Sequence, residues 1–158
     1  MRESATDQEI LEQQVERVGV FFEKQGMPPV GARIIGYLLF SNPPTRTFYE
    51  IVEFTKASKS SVSNSLNFML EKKIVSYVTL SGDRKRYFQI DPENWINLIK
   101  NRIPFMTKVR GFLQEAIKVH EGHDQKIHEG LIKIEELYAA MEQEFPKIIA
   151  NWEKKYNT

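Results

Sequence analysis

Residues 58–70 read Ser-Lys-Ser-Ser-Val-Ser-Asn-Ser-Leu-Asn-Phe-Met-Leu, an order that gives a helix two unlike faces. At 100° per residue Val62, Leu66, Met69 and Leu70 gather on one side. Ser60, Ser61, Asn64 and Asn67 gather on the other, with Ser63 and Ser65 on the flanks. Ser58 is placed as an N-cap, and the helix predicted from it runs to about Lys72. One face is core. The opposite face carries small hydrogen-bonding side chains and no bulk, which suits close approach to another polar surface.

The segments on either side set that helix in an order. Thr47-Phe-Tyr-Glu50 is a capping box, in which the Thr side chain accepts from the N–H three residues on while the Glu reaches back. It opens a short helix with Ile51, Val52 and Phe54 inward, and Lys56-Ala57-Ser58 leaves room only for a tight turn. After Lys73 the residue types turn to those of strands, Ile74–Leu80 and Arg84–Ile90 flanking the turn signal Ser81-Gly82-Asp83. Helix, turn, helix and hairpin is the order of a winged helix-turn-helix. Upstream, a helix predicted from the Pro28-Pro29 pair carries Val30, Ile34, Ile35, Leu38 and Leu39 on one face and ends at Asn42-Pro43-Pro44.

Helices flank this centre. Thr6 and Glu9 form another capping box, opening a helix to about Lys24 whose apolar stripe is Leu11, Val15, Val18 and Phe22; Gly26 stops it. Asp91-Pro92 restarts helix, and from Trp95 to Val119 the apolar residues Ile96, Ile99, Ile103, Met106, Leu113 and Ile117 keep a helical period, with a kink expected at Pro104. Residues 120–125 break the run. Beyond them Ile127, Leu131, Ile134, Tyr138, Met141, Phe145, Ile148 and Trp152 alternate steps of four and three, a heptad seam with a bend expected at Pro146. The seam and the first-helix stripe suit pairing between two copies; the alternative for the seam is an intramolecular bundle with residues 95–119. The expected architecture is mainly α with a small β-hairpin wing in one compact chain. An N-terminal dimerisation helix (1–26) precedes the winged helix-turn-helix DNA-binding region (27–91) and a C-terminal helical dimerisation region (92–158).

Bulk composition alone argues for no nucleic-acid partner: 158 residues carry 22 Lys+Arg against 21 Asp+Glu, a net +1. The distribution reverses that. Residues 56–90 hold Lys56, Lys59, Lys72, Lys73, Arg84, Lys85 and Arg86 against Glu71 and Asp83, a net +5, so the remainder sums to −4. Positive charge is focused where phosphate contact needs it. The absence of Cys excludes a disulfide framework, a Cys-ligated metal site and a thiol nucleophile. No membrane-length apolar run and no signal-peptide pattern occur, so a cytoplasmic protein without a membrane partner is expected. No Walker loop, nucleotide-binding glycine fingerprint or nucleophile elbow occurs either, and neither enzymatic chemistry nor a cofactor is expected.

Gly31-Ala-Arg-Ile-Ile-Gly-Tyr-Leu-Leu39, Ser58-Lys-Ser-Ser-Val-Ser-Asn-Ser-Leu66 and Ser81-Gly-Asp-Arg-Lys-Arg-Tyr-Phe88 together resemble the GbsR branch of the MarR-type transcriptional regulators. The similarity of side chains covers residues 23–90, a little under half the chain, and the flanking helices match in order only. The resemblance implies a homodimeric winged-helix DNA binder, its interface built from N- and C-terminal helices, commonly a repressor with a small-molecule inducer. The Pro-interrupted, Trp-containing end of the last helix departs from that pattern.

On this reading the residues expected to meet double-stranded DNA are Lys59, Ser60, Ser61, Ser63, Asn64, Asn67, Arg84, Lys85 and Arg86. Asn64 and Asn67 can each pair bidentately with adenine, the serines can donate to bases or phosphates, Arg84 at the hairpin tip suits a narrow minor groove, and Lys85 and Arg86 supply phosphate charge. A dimer would set two recognition helices roughly 34–36 Å apart on a pseudo-palindrome. Its expected contacts are Leu11, Val15, Val18 and Phe22 with Leu131, Ile134, Tyr138, Met141, Phe145, Ile148 and Trp152. Trp95, Phe105, Phe112, Tyr138, Phe145 and Trp152 are core residues or the lining of an effector pocket, where a quaternary ammonium would suit an aromatic cage. His120, His123 and His128, with Glu121 and Asp124 among them, match no established metal-site spacing; a metal-responsive regulator is one alternative they leave. A winged-helix module that binds protein instead of specific DNA is the other.

Overall fold

The computed structural model describes residues 5–156, with side chains from residue 7. The Thr6 cap lies outside the described side chains. The chain divides between Trp95 and Ile96 into two units. The first holds α1 (Ala5–Lys24), α2 (Pro29–Phe40), β1 (Arg46–Thr47), α3 (Phe48–Thr55), α4 (Lys59–Glu71), β2 (Val75–Thr79) and β3 (Arg86–Ile90). α5 (Pro92–Lys100) crosses the division, and α6 (Arg102–His120) and α7 (Gln125–Tyr156) complete the second. The predicted fold class holds: α3, a tight turn, α4 and the β2–β3 hairpin are a winged helix-turn-helix, flanked by helices.

The first unit is built around α2. Pro29 stands at its first position, where the missing N–H is no loss, and Ile34, Ile35 and Leu38 are almost wholly buried. They pack with Ile51 of α3, Val62, Leu66 and Met69 of α4, Val75 of β2 and Phe88 of β3. α1 lies against α2 at close range. A Cβ on Gly36 would come within 3.1 Å of the Val15 backbone, and one on Gly19 within 3.0 Å of Arg33 Cγ. Arg33 clasps the pair, its fork on Glu16 (2.7 and 2.9 Å) and its other nitrogen on Glu23.

Two corrections follow from that packing. Leu11 and Val15, assigned to a dimer surface, belong to the core of their own chain, because α2 covers the α1 stripe; Val18 and Phe22 are half-buried. Leu39, read as inward, is 48% exposed, while Tyr37 takes the inner place and stacks on Phe54, ring centres 3.9 Å apart.

Both caps at the centre form as expected. Thr47 Oγ1 accepts from Glu50 N at 3.4 Å and Glu50 Oε2 accepts from Thr47 N at 2.7 Å, while Ser58 Oγ accepts from Ser61 N at 3.1 Å. Thr47 also pairs with Tyr87 and Arg46 with Phe88, so that a two-residue strand joins the hairpin in a sheet of order β1-β3-β2. Two residues carry no readable period, so this strand has no signature in the order of residues. α4 is bracketed by two lysines with left-handed backbone, Lys56 (φ 53°) and Lys73 (φ 57°).

In the second unit the expected kink at Pro104 is a break. Proline lacks an N–H for the carbonyl of Lys100 and its ring crowds that carbonyl, so α5 ends at Lys100 and Pro104 becomes the third residue of α6. α6 and α7 pack together, with Arg110 donating to Glu135 and Glu142 at 2.8 Å each. α7 runs 32 residues, through Pro146. Its single predicted seam separates into two rows. Leu131, Tyr138 and Phe145 are half-buried, whereas Ile134 (46%), Met141 and Ile148 (59%) are exposed, as is Trp152. α6 exposes a row of its own seven residues apart, Phe105 (56%), Phe112 (65%) and Val119 (70%).

At the close crossing of α1 and α2 a methyl group on Gly36 would press on the Val15 backbone, which would have to give by a few tenths of an ångström. Gly36→Ala is expected to lower stability to urea by about 1–3 kcal/mol, and Gly111→Ala, which meets nothing within 4 Å, to leave it unchanged or raise it by up to about 1 kcal/mol. At Glu50 burial pushes the carboxyl up, but the hydrogen bonds from the Thr47 hydroxyl and N–H outweigh it and hold it below its ordinary 4.5. A depressed carboxyl stabilises above its ordinary value and loses that contribution as pH falls through the folded one. Melts below pH 4.5 should therefore show the wild type losing more stability with acid than Glu50→Gln does.

Candidate nucleic-acid interface

Burial of Val62, Leu66 and Met69 fixes the rotation of α4, and the opposite side then has to face solvent. Lys59, Ser60, Ser61, Asn64 and Asn67 are all exposed, and Ser63 is half-buried. The Ser58 hydroxyl donates to Ser61 Oγ at 2.9 Å besides capping the helix. Lys59 stands at the first position with its ammonium 5.4 Å from the centre of the Tyr49 ring, a cation–π contact that draws α3 into the same surface.

The wing tip is held by an acid. Gly82 takes φ 83°, and Asp83 then accepts from Lys85 N at 2.9 Å and from the Tyr87 hydroxyl at 2.7 Å. The hydrogen bond from Tyr87 holds the Asp83 carboxyl below its ordinary value, and the same bond raises the Tyr87 hydroxyl. Arg84 and Lys85 are exposed on this clasped loop and Arg86 at the start of β3, its guanidinium 4.7 Å from the centre of the Tyr77 ring. The role of Asp83 was missed in the sequence, where it counts only against the local charge; an Asx-type acceptor two residues before Lys85 and four before Tyr87 is the signal that could have found it.

The two parts meet in one cleft. Ser63 and Asn67 of α4 face Arg84 and Arg86 of the wing across a space of about 310 Å³, floored by Phe48 and Phe88. Residues 63 and 67 belong to one helix and 84 and 86 to a hairpin, so the sequence places them on separate elements and only the fold brings them together. Asn64 and Ser61 point away from this cleft, toward a second cavity beside α2.

The remaining expectations fall elsewhere. Trp95 is spent on the fold, its indole N–H donating to the Ile74 carbonyl at 2.9 Å, and Phe105 and Phe112 are exposed. His128 Nδ1 lies 3.2 Å from the Ile117 carbonyl oxygen. Among the described residues no group of three His, Asp or Glu is gathered to hold a metal ion, and no helix is long and apolar enough to cross a membrane.

No family model matches the chain. Over 128 residues, 81% of this chain and 78% of the relative, it is 22% identical to the HTH-type transcriptional regulator MmpR5 of Mycobacterium tuberculosis. A crystal structure of a transcriptional regulator shares its fold with a TM-score of 0.68 at 19% identity, covering 91% of this chain and 98% of that one. The transcriptional regulator Tm0710 of Thermotoga maritima matches with a TM-score of 0.41 at 18% identity, over 87% of this chain and 89% of that one. The resemblance to winged-helix transcriptional regulators that the sequence carries is thus borne out by its similarity to the first two of these proteins.

Proposed function

We propose that this chain is a sequence-specific DNA-binding regulator of the GbsR/MarR type, a cytoplasmic repressor that acts as a homodimer and is released by a small molecule. The observation that carries the reading is the cleft in which Ser63 and Asn67 face Arg84 and Arg86, set in a segment of net +5 while the rest of the chain sums to −4. A duplex is the partner that uses both halves of such a cleft, base edges for the amide, phosphates for Arg86 and the minor groove for Arg84. Asn64 and Asn67 would read adenine, Ser60, Ser61 and Ser63 would donate to bases or phosphates, and Lys59, Lys85 and Arg86 would neutralise the backbone. Arg84 would enter the minor groove. No covalent chemistry is required of the protein.

A single winged helix covers too few base pairs for operator-level specificity, which is the functional reason for a dimer. The exposed rows of α6 and α7, with Phe112 and Met141 at their middles, supply apolar surface for it.

Selection from random duplexes should return a pseudo-palindrome with half-sites one helical turn apart; no enrichment over bulk DNA at moderate salt would sink the reading. On the selected site log affinity should fall steeply with log salt, and Arg84→Ala should flatten that slope by about one. In sedimentation the protein should run as a dimer at micromolar concentration. A monomer independent of concentration would remove the homodimer.

A further inference from the structure

Between the first turn of α2 and the middle of α4 lies a cavity of about 410 Å³, within the size range of small-molecule sites. Met27, Pro29, Val30, Phe68 and Met69 make its walls apolar, and Ser61, Asn64 and Ser65 set hydrogen-bonding groups along the α4 side. No hydrogen bond within the described residues engages the Asn64 amide or the Ser65 hydroxyl. α2 begins on two prolines without a side-chain cap, which leaves the Val30 and Gly31 N–H groups without an intrahelical acceptor. No charged side chain lines the space; the Lys72 ammonium rests over the Phe68 ring, 5.8 Å from its centre, and stays outside the lining.

Gly31 keeps the cavity open. A Cβ there would meet Met27 and Ser65 at 3.8 Å, an ordinary contact, so packing does not require glycine at this position. The helix forgoes propensity and filled volume together at this one residue.

We infer that this cavity binds an uncharged, mainly apolar small molecule bearing a carbonyl group, and that its occupation competes with DNA. The lining without charged side chains selects the class: an ion would shed its water with no full counter-charge to meet it, only the partial charge at the start of α2, whereas a carbonyl oxygen finds the Asn64 amide, the Ser65 hydroxyl and the free N–H groups of α2 at little desolvation cost. Competition follows from Asn64 and Ser61, which belong both to the cavity and to the surface assigned to base reading. This second half rests on the DNA-binding reading. By linkage a duplex would in turn weaken the ligand by the same factor.

The test uses the full chain labelled at its methionine methyl groups and the neutral naphthyl ketone Prodan as probe. Saturable shifts of the Met27 and Met69 methyls, with Met106 and Met141 unmoved, are expected; saturable shifts confined to Met106 and Met141, or no saturable shift, would overturn the site. Gly31→Leu, which fills the cavity, should weaken the probe by roughly tenfold or more, and the milder Gly31→Ala by less, each with an unchanged far-ultraviolet spectrum. Unaltered binding in both variants would also overturn it. An anionic naphthalene sulfonate that shifts Met27 and Met69 with equal affinity would overturn the uncharged class. Saturating Prodan should weaken duplex binding by roughly tenfold in the wild type and leave Gly31→Leu unaffected. If duplex is bound equally well with and without the probe, the competition fails; if no duplex is bound even at low salt, the DNA-binding reading fails while the methyl shifts still decide the cavity.

Discussion

Val62, Leu66 and Met69 are each at most 2% exposed, and their burial is the constraint on which the first unit turns. A helix held on one side by three apolar residues cannot rotate without exposing them, which would cost several kcal/mol by ordinary transfer values. The serines and asparagines opposite are thereby aimed outward with the rigidity of the core. The same three residues reach α2, α3 and the hairpin through Ile34, Ile51 and Phe88, so the polar face and the wing are registered to one another through a shared interior.

Much of this is legible in the order of residues because helices report their faces by period. The division of 58–70 into two sides, the Thr47 and Ser58 caps and the stop after Phe40 each depend on neighbours within one or two turns. What depends on distant contacts is not written locally. The α1 stripe reads as an unpaired surface until α2 closes on it through Gly36, and nothing near Val15 announces that glycine. The heptad seam of α7 reads as one row because its steps of four and three place all members within a quarter-turn or so, and the packing of α6 then splits it.

The functional surface follows the same division. Lys59, Asn64 and Asn67 were found from composition and phase, since exposure on a helix is a matter of angle. The confrontation of Asn67 with Arg84 and Arg86 was not, because the path from one to the other runs through the turn at Gly82 and the register of β2 with β3. Tyr49 and Asp83 escaped for a related reason. A side chain that steadies a cation contributes nothing to a charge count, or subtracts from it.

The two left-handed lysines at the ends of α4 bear on how that helix has been weighted. Glycine adopts φ near 55° freely, and a branched-chain or long residue holds it at a cost on the order of 1 kcal/mol or more. At Lys56 and Lys73 the chain accepts that cost twice and keeps two of the seven cations of its basic segment. Glycine at either position would relieve the turn but remove a cation, so the two turns that bound α4 carry backbone strain and positive charge in the same residues.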